Sequence, residues 1–197
     1  MKIFLIVLAV AIVAVIFLAG IYNRLVALLN EAKNSFAQID VQLKRRYDLI
    51  PNLVEIAKKY MSYEESVLVK VVNARNLAVD ALEKIEKDGL KNRNLNDLSS
   101  AEIDVQSALK GLNIQVEAYP DLKANQNMMQ LSEELTSTEN KVGFARQAYN
   151  DSVTAYNTYK QSFPNNILVG FFPKFHEDLG LLEFKNEDIS AAPKIKF

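Results

Sequence analysis

The chain has 197 residues, with 23 Lys+Arg against 24 Asp+Glu, one His, no Cys and no Trp. A net charge near zero leaves no electrostatic footprint for nucleic acid, and the lack of cysteine removes disulfides, thiol nucleophiles and thiolate metal sites. Six Gly and five Pro are too few for a turn-rich β-sandwich or barrel, so the expected class is all-α.

Residues Ile3 to Ile21 carry no charged or polar side chain, and Gly20 is the only one outside the hydrophobic set. At about 1.5 Å per residue, a helix of this length spans roughly 28 Å, close to a bilayer core of about 30 Å. Residues 1–21 therefore read as a single transmembrane anchor. A cleaved secretory signal is the alternative, since Lys2 makes a short basic start, but no A-x-A site closes the run. The alanines at positions 9, 11, 14 and 19 never fall four apart, so no small-xxx-small dimerisation face is written in the span. Lys2 opposes Arg24 and Lys33, and the positive-inside count barely discriminates orientation.

Apolar residues then recur at Leu25, Leu29, Ala32, Phe36, Ile39, Leu43, Tyr47, Ile50, Val54, Ala57 and Met61, about 3.6 residues per step, which predicts one amphipathic helix running straight out of the membrane. Pro51 lacks the amide donor and crowds the preceding turn, so a kink is expected there, with a complete break as the alternative. Ser62-Tyr-Glu-Glu65 has the spacing of a capping box and predicts the start of a second helix, striped by Val67, Val71, Ala74, Ala78, Ala81 and Ile85. The polar run from Asp88-Gly89 to Asn96-Asp97 reads as a solvated loop. Ser99-Ser-Ala-Glu102 repeats the capping signature and predicts a third helix, ended by Tyr119-Pro120-Asp121. A fourth stripe runs from Met128 to Phe163, where Pro164 stops it. Four such helices with short connections predict an up-and-down four-helix bundle over residues 22–163, preceded by one transmembrane helix and followed by a tail over 164–197. On a continuous first helix the bundle stands upright on the bilayer.

The segment IDVQLKRRYDLIPNLVE (Ile39 to Glu55), followed by Tyr60 and Glu64, resembles the LemA family of bacterial membrane proteins. So do YPDLKAN (Tyr119 to Asn125), LSEELTSTENKVGFARQAYND (Leu131 to Asp151), Tyr156-Asn157 and Phe163-Pro164. The resemblance covers Tyr22 to about Asn166. It implies an α-helical bundle on one N-terminal anchor and no settled biochemical activity. Family genes often sit beside those for membrane metalloproteases, and a relative is associated with magnetosome membranes. Some LemA-like proteins are lipoproteins on the outer side of the inner membrane, with a leader ending Leu-small-Gly-Cys before a Tyr-Asn pair. Here Leu18-Ala19-Gly20-Ile21 precedes Tyr22-Asn23, and with Ile21 in place of the lipidated Cys the apolar segment should persist as an anchor. Shared topology would put the bundle on the extracytoplasmic side of the bacterial inner membrane.

Lys44-Arg45-Arg46 is the one basic cluster. On a continuous helix it lies roughly 35 Å from the anchor, several Debye lengths of about 8 Å, which argues against lipid binding. The preferred reading is interhelix pairing, with Arg46, Asp40 and Asp48 reaching across to Arg146 and the carboxylates among Glu133, Glu134 and Glu139 on the fourth helix, beside Asn140. A partner surface built from Asp40, Arg45, Arg46, Asp48, Pro51, Asn52, Glu134, Glu139 and Arg146 is the alternative. Pro51-Asn52 reads as a kink whose freed carbonyl is satisfied by a side chain, rather than as a hinge. His176, beside Glu177 and Asp178, lacks the partners of a three-ligand metal site, and Asn150-Asp-Ser152 is a sequon placed mid-helix.

Six of the ten phenylalanines fall at Phe163, Phe171, Phe172, Phe175, Phe184 and Phe197. Such rings seldom stay exposed. Either the tail folds back along the bundle, or it docks on a neighbouring subunit or partner, with Ile195-Lys196-Phe197 adding a strand. No Walker loop, dinucleotide fingerprint, nucleophile elbow or His-Glu-x-x-His occurs, so neither enzyme chemistry nor a cofactor nor a metal is expected. The leading functional expectation is a membrane-anchored scaffold that forms a homo-oligomer or holds partner proteins. An adaptor or regulator of a membrane metalloprotease, which only the family association suggests, and an extracytoplasmic sensor are the alternatives.

Overall fold

The computed structural model describes residues 1–61 and 63–184. Helix α1 (Lys2–Lys58) is continuous through the apolar segment and through Pro51, so the first helix does not break. Helices α2 (Glu65–Asp88), α3 (Asn92–Val116), the short α4 (Pro120–Lys123) and α5 (Gln126–Gln161) follow. Beyond them lie the short α6 (Asn165–Val169) and a 3-10 turn at Pro173–Phe175. Among the described residues the structure is all-α, an up-and-down bundle on one long N-terminal helix.

Residues 1–20 of α1 are wholly exposed, and burial starts at Ile21. From there Leu25, Leu28, Leu29, Ala32, Phe36, Ile39, Leu43, Tyr47, Ile50, Leu53 and Ala57 form one buried stripe. Helix α5 runs antiparallel along it, with Ser35 Oγ 3.0 Å from Ser152 Oγ and the Phe36 and Tyr149 rings edge-on at 5.6 Å. The α2–α3 hairpin covers only the part of α1 far from the apolar N-terminal segment, which is long and apolar enough to cross a membrane. Helix α2 lays Leu68, Val71, Ala74, Ala78, Ala81, Leu82 and Ile85 into that core, and its alanines permit close helix approach. Nearer the apolar segment a second apolar cluster joins Ile21, Leu25, Leu28 and Leu29 to Tyr156, Val169 and Phe175, with no residue of α2 or α3 among its described members. There the tail takes the place of the hairpin.

Two helix starts differ from the sequence expectation. Helix α2 begins at Glu65, with Glu64 as N-cap and no side-chain cap bond; Ser62 lies outside the described residues. Helix α3 begins at Asn92, seven residues ahead of Ser99. The polar run is helical because Leu95 and Leu98 are buried beneath it, and because Asn94 Nδ2 donates to Gly89 O at 3.1 Å. Gly89, at φ 86, supplies the left-handed turn between the helices. At the far end Asn125 caps α5 by accepting from Met128 N at 3.1 Å, while its Nδ2 donates to Tyr60 Oη at 3.1 Å.

Candidate functional site

Arg46, expected to reach α5, turns instead to α3. Its guanidinium donates to Glu102, and Tyr47 Oη donates to the other oxygen of the same carboxylate. The pair is sealed in the core, with side-chain exposures of 2% and 0%. Burial pushes the Arg46 guanidinium below its ordinary value, while Tyr47 and Glu139 act to hold it up. Glu139 on α5 thus acts on Arg46 through space, while Glu102 is its ion-pair partner. Glu102, taken for a cap residue in the sequence, is the acid of a buried pair. The legible signal was its place on the stripe Leu95, Leu98, Val105, where a carboxylate must find a cation or protonate.

The remaining charges of the motif serve the outer faces. Lys44 joins Asp40 one turn back, at 3.0 Å, and Glu86 on α2. Its pKa is raised by the hydrogen bonds to Glu86 and Asp40. Arg45 is the residue that reaches α5, with Nε donating to Glu134 Oε1 at 3.2 Å. Asp40 therefore pairs along its own helix, and Asp48 is exposed with no ion pair among the described residues. Pro51 and Asn52 are exposed on α1. Pro51 cannot bond the carbonyl of Tyr47, and Arg75 Nε on α2 donates to that oxygen at 3.1 Å. The proline thereby creates an acceptor that orients α2 against α1.

The tail folds back on the bundle as far as Phe184. Lys160, buried at the end of α5, donates to His176 O at 2.9 Å and pairs with Asp178 at 2.7 Å. Asn157 then takes both backbone groups of Leu179, donating to its carbonyl at 2.9 Å and accepting from its amide at 3.1 Å. Asn150 does the same to Leu182, at 3.1 and 2.9 Å. Between them Tyr149 Oη donates to Gly180 O at 2.9 Å. The registers match because seven helical residues rise about 10.5 Å and three extended residues about 10 Å. The two asparagines form a clamp that reads backbone, and the side-chain amide of the Asn150 sequon is engaged in it. Their seven-residue spacing on one helix face was the available signal.

Around this clamp Phe175 and Leu182 are buried, and Gly180 lies against Asn92 and Leu95 of α3, where a Cβ would clash. Arg146 covers the Phe184 ring at 4.7 Å and so belongs to the tail, not to the charges of α1. Phe171 is exposed, and Phe172 packs against Tyr22 at 5.1 Å. Phe197, with the Ile195-Lys196-Phe197 segment, lies outside the described residues. His176 is exposed, with Nε2 3.4 Å from Gly170 O.

Among the described residues the face of α1 and α5 opposite the hairpin is uncovered. A groove of about 690 Å³ runs there between Ala37 and Val41 on α1 and Lys141, Phe144, Ala145 and Ala148 on α5. Phe144 is 75% exposed and Val41 59%. Neither residue stood out in the sequence, because each lies off the main apolar stripe of its helix.

Protein LemA of Metamycoplasma hominis is 28% identical to the chain over 151 residues, covering 75% of this chain and 63% of that protein. Magnetosome protein MamQ 2 of Paramagnetospirillum magneticum is 24% identical over 162 residues, covering 75% of this chain and 60% of that protein. Magnetosome protein MamQ of Magnetospirillum gryphiswaldense is 24% identical over 158 residues, with 73% and 58% covered. The chain spans about three fifths of the length of the curated relatives it matches. The LemA family model matches residues 35–197, which include the buried pair, the asparagine clamp and the open groove, and the chain therefore belongs to the LemA family.

Proposed function

We propose that this chain is a membrane-anchored scaffold and not an enzyme: an upright bundle that associates with further copies of itself, or holds partner proteins, at the bilayer. The α1/α5 groove carries this reading, because Phe144 and Val41, both strongly exposed, line it together. Val41 stands twenty residues along a continuous helix from Ile21, about 30 Å above the end of the span. Copies anchored with one orientation in one bilayer present their grooves at equal height, and a two-fold axis normal to the membrane brings like faces together. The engaged charges support the same reading, since Arg46, Glu102, Arg45 and Glu134 hold helices to one another. On the family resemblance we place the bundle on the extracytoplasmic side of the inner membrane; protease digestion of intact spheroplasts that left it uncut would refute that placement.

The test of the scaffold is to extract the full-length protein from its native membrane in a mild detergent and determine the mass and composition of its particle. A homogeneous multiple of the 22.2 kDa chain, reduced to the monomer by Phe144→Ser, is the expected result. A stoichiometric second protein released by the same substitution supports the partner-holding form. A bare monomer refutes the proposal.

A further inference from the structure

We propose that the membrane end of the bundle carries a second, interfacial contact with the bilayer: an apolar collar of Phe163, Ile167, Phe171 and Phe172 that dips into the headgroup and acyl boundary beside the span. The inference rests on reading residues 3–21 as a membrane span, and extends it from a single helix to a two-part seat.

Height places the collar. Ser35 and Ser152 stand side by side on antiparallel helices, so Gln161, nine residues on from Ser152, comes level with Val26, nine residues back from Ser35. Val26 is five residues from Ile21, about 8 Å along the axis. The chain leaving α5 therefore enters the layer next to the bilayer, and aromatic contacts hold it there. Tyr22, the residue after the span, packs its ring 5.1 Å from Phe172 and 5.5 Å from Phe175. An amphipathic element lying in the interface buries its apolar face by about 5–10 Å, a depth that reaches this layer.

Exposure and charge select the occupant. Phe163 is 80% exposed, Phe171 73%, Ile167 57% and Phe172 37%, whereas Val169 and Phe175 from the same stretch are buried against α1. The segment thus has an inner face that docks on the helix and an outer face on which four large apolar side chains outnumber the exposed Ser162, Asn166 and Lys174. Residues 162–175 contain no Asp or Glu, and their one charged residue is Lys174. An apolar face flanked by a cation, level with the end of a span, fits a lipid surface.

The chain has no tryptophan, so Phe171→Trp places a single indole on the collar. The full-length variant is reconstituted into vesicles of phosphatidylcholine and phosphatidylglycerol with lipids brominated near the headgroup end of the acyl chains. Tyr63→Trp, 94% exposed just beyond the end of α1 and about 55 Å above the span, is the reference. The collar predicts a blue-shifted emission for F171W, most of it lost to the brominated lipids, and no loss for Y63W. Emission from F171W that stays at long wavelength and is open to aqueous acrylamide, as for Y63W, overturns the proposal. A blue shift without bromolipid quenching means that protein covers the patch, and overturns it too. Ile167→Trp repeats the measurement should F171W fail to reconstitute. Release of the wild-type chain from the vesicles by alkaline carbonate would refute the anchor and the collar together, whereas retention with a wet indole refutes the collar alone.

Discussion

Replacing Glu102 by Leu isolates the most consequential charge in the bundle. The Arg46 guanidinium would remain 2% exposed with its carboxylate gone, and Tyr47 Oη would lose its acceptor. Breaking one side of a buried pair costs about 3–5 kcal/mol, because the surviving charge keeps its desolvation penalty without the compensating attraction. In a chain of this size about 2–4 °C of Tm accompanies each kcal/mol, so E102L should lower Tm by about 6–20 °C. The outer pair is the internal comparison: Arg45 and Glu134 are 53% and 38% exposed, and solvent screening holds their contribution to about 1 kcal/mol or less. The double variant Arg46→Met with Glu102→Leu removes both desolvated charges together and should recover most of the loss. The assay is thermal unfolding of full-length protein in mild detergent, followed by far-UV circular dichroism. A Tm drop for E102L no larger than that for Glu134→Ala, or a double variant as unstable as E102L, would refute the reasoning.

Arg75→Met should cost about 1–3 kcal/mol by orphaning the Tyr47 carbonyl that Pro51 leaves free. Pro51→Ala should rescue it by restoring the helical amide donor, and non-rescue in denaturant titrations would sink that account. Asn157→Ala and Asn150→Ala each remove two hydrogen bonds to the tail and should raise the hydrogen-exchange rates of the Leu179 and Leu182 amides; unchanged protection would mean the clamp is dispensable. Burial pushes the Tyr47 and Tyr149 phenols above their ordinary value of 10.0. Their folded pKa values exceed the unfolded ones, so this stabilisation is fully present below about pH 10 and is lost as pH rises toward the folded values. A stability profile that stayed flat from pH 9 to 11 would contradict that sign.

The apolar N-terminal segment, the four long helices and the helix ends near Tyr119-Pro120 and Pro164 were legible because they depend on local rules: the apolar run, the 3.6-residue stripe and the missing amide of proline; the short helices α4 and α6 were not. Helix starts were less legible. Ser99 and Glu102 have capping-box spacing, but the seven preceding residues are already helical because Leu95 and Leu98 find a core to bury in, a gain no local signal reports. The motif charges show the same division. From the sequence, Arg45 and Arg46 are neighbours with similar prospects. In the structure, one turns outward to α5 and the other inward to α3, because adjacent residues on a helix point about 100° apart.

By itself the sequence determined that an apolar segment continues into a long amphipathic helix, that three further long helices follow it, and that six of the ten phenylalanines gather from Phe163 onward. Only the tertiary structure decided that Glu102 is the acid opposite Arg46, that Arg75 meets the carbonyl freed by Pro51, that Asn150 and Asn157 hold the tail backbone, and that α1 and α5 line a groove with Phe144 and Val41 exposed in it. A hydrophobic stripe specifies that a helix face must be covered, and leaves its neighbours to be settled by the arrangement of helices around the axis.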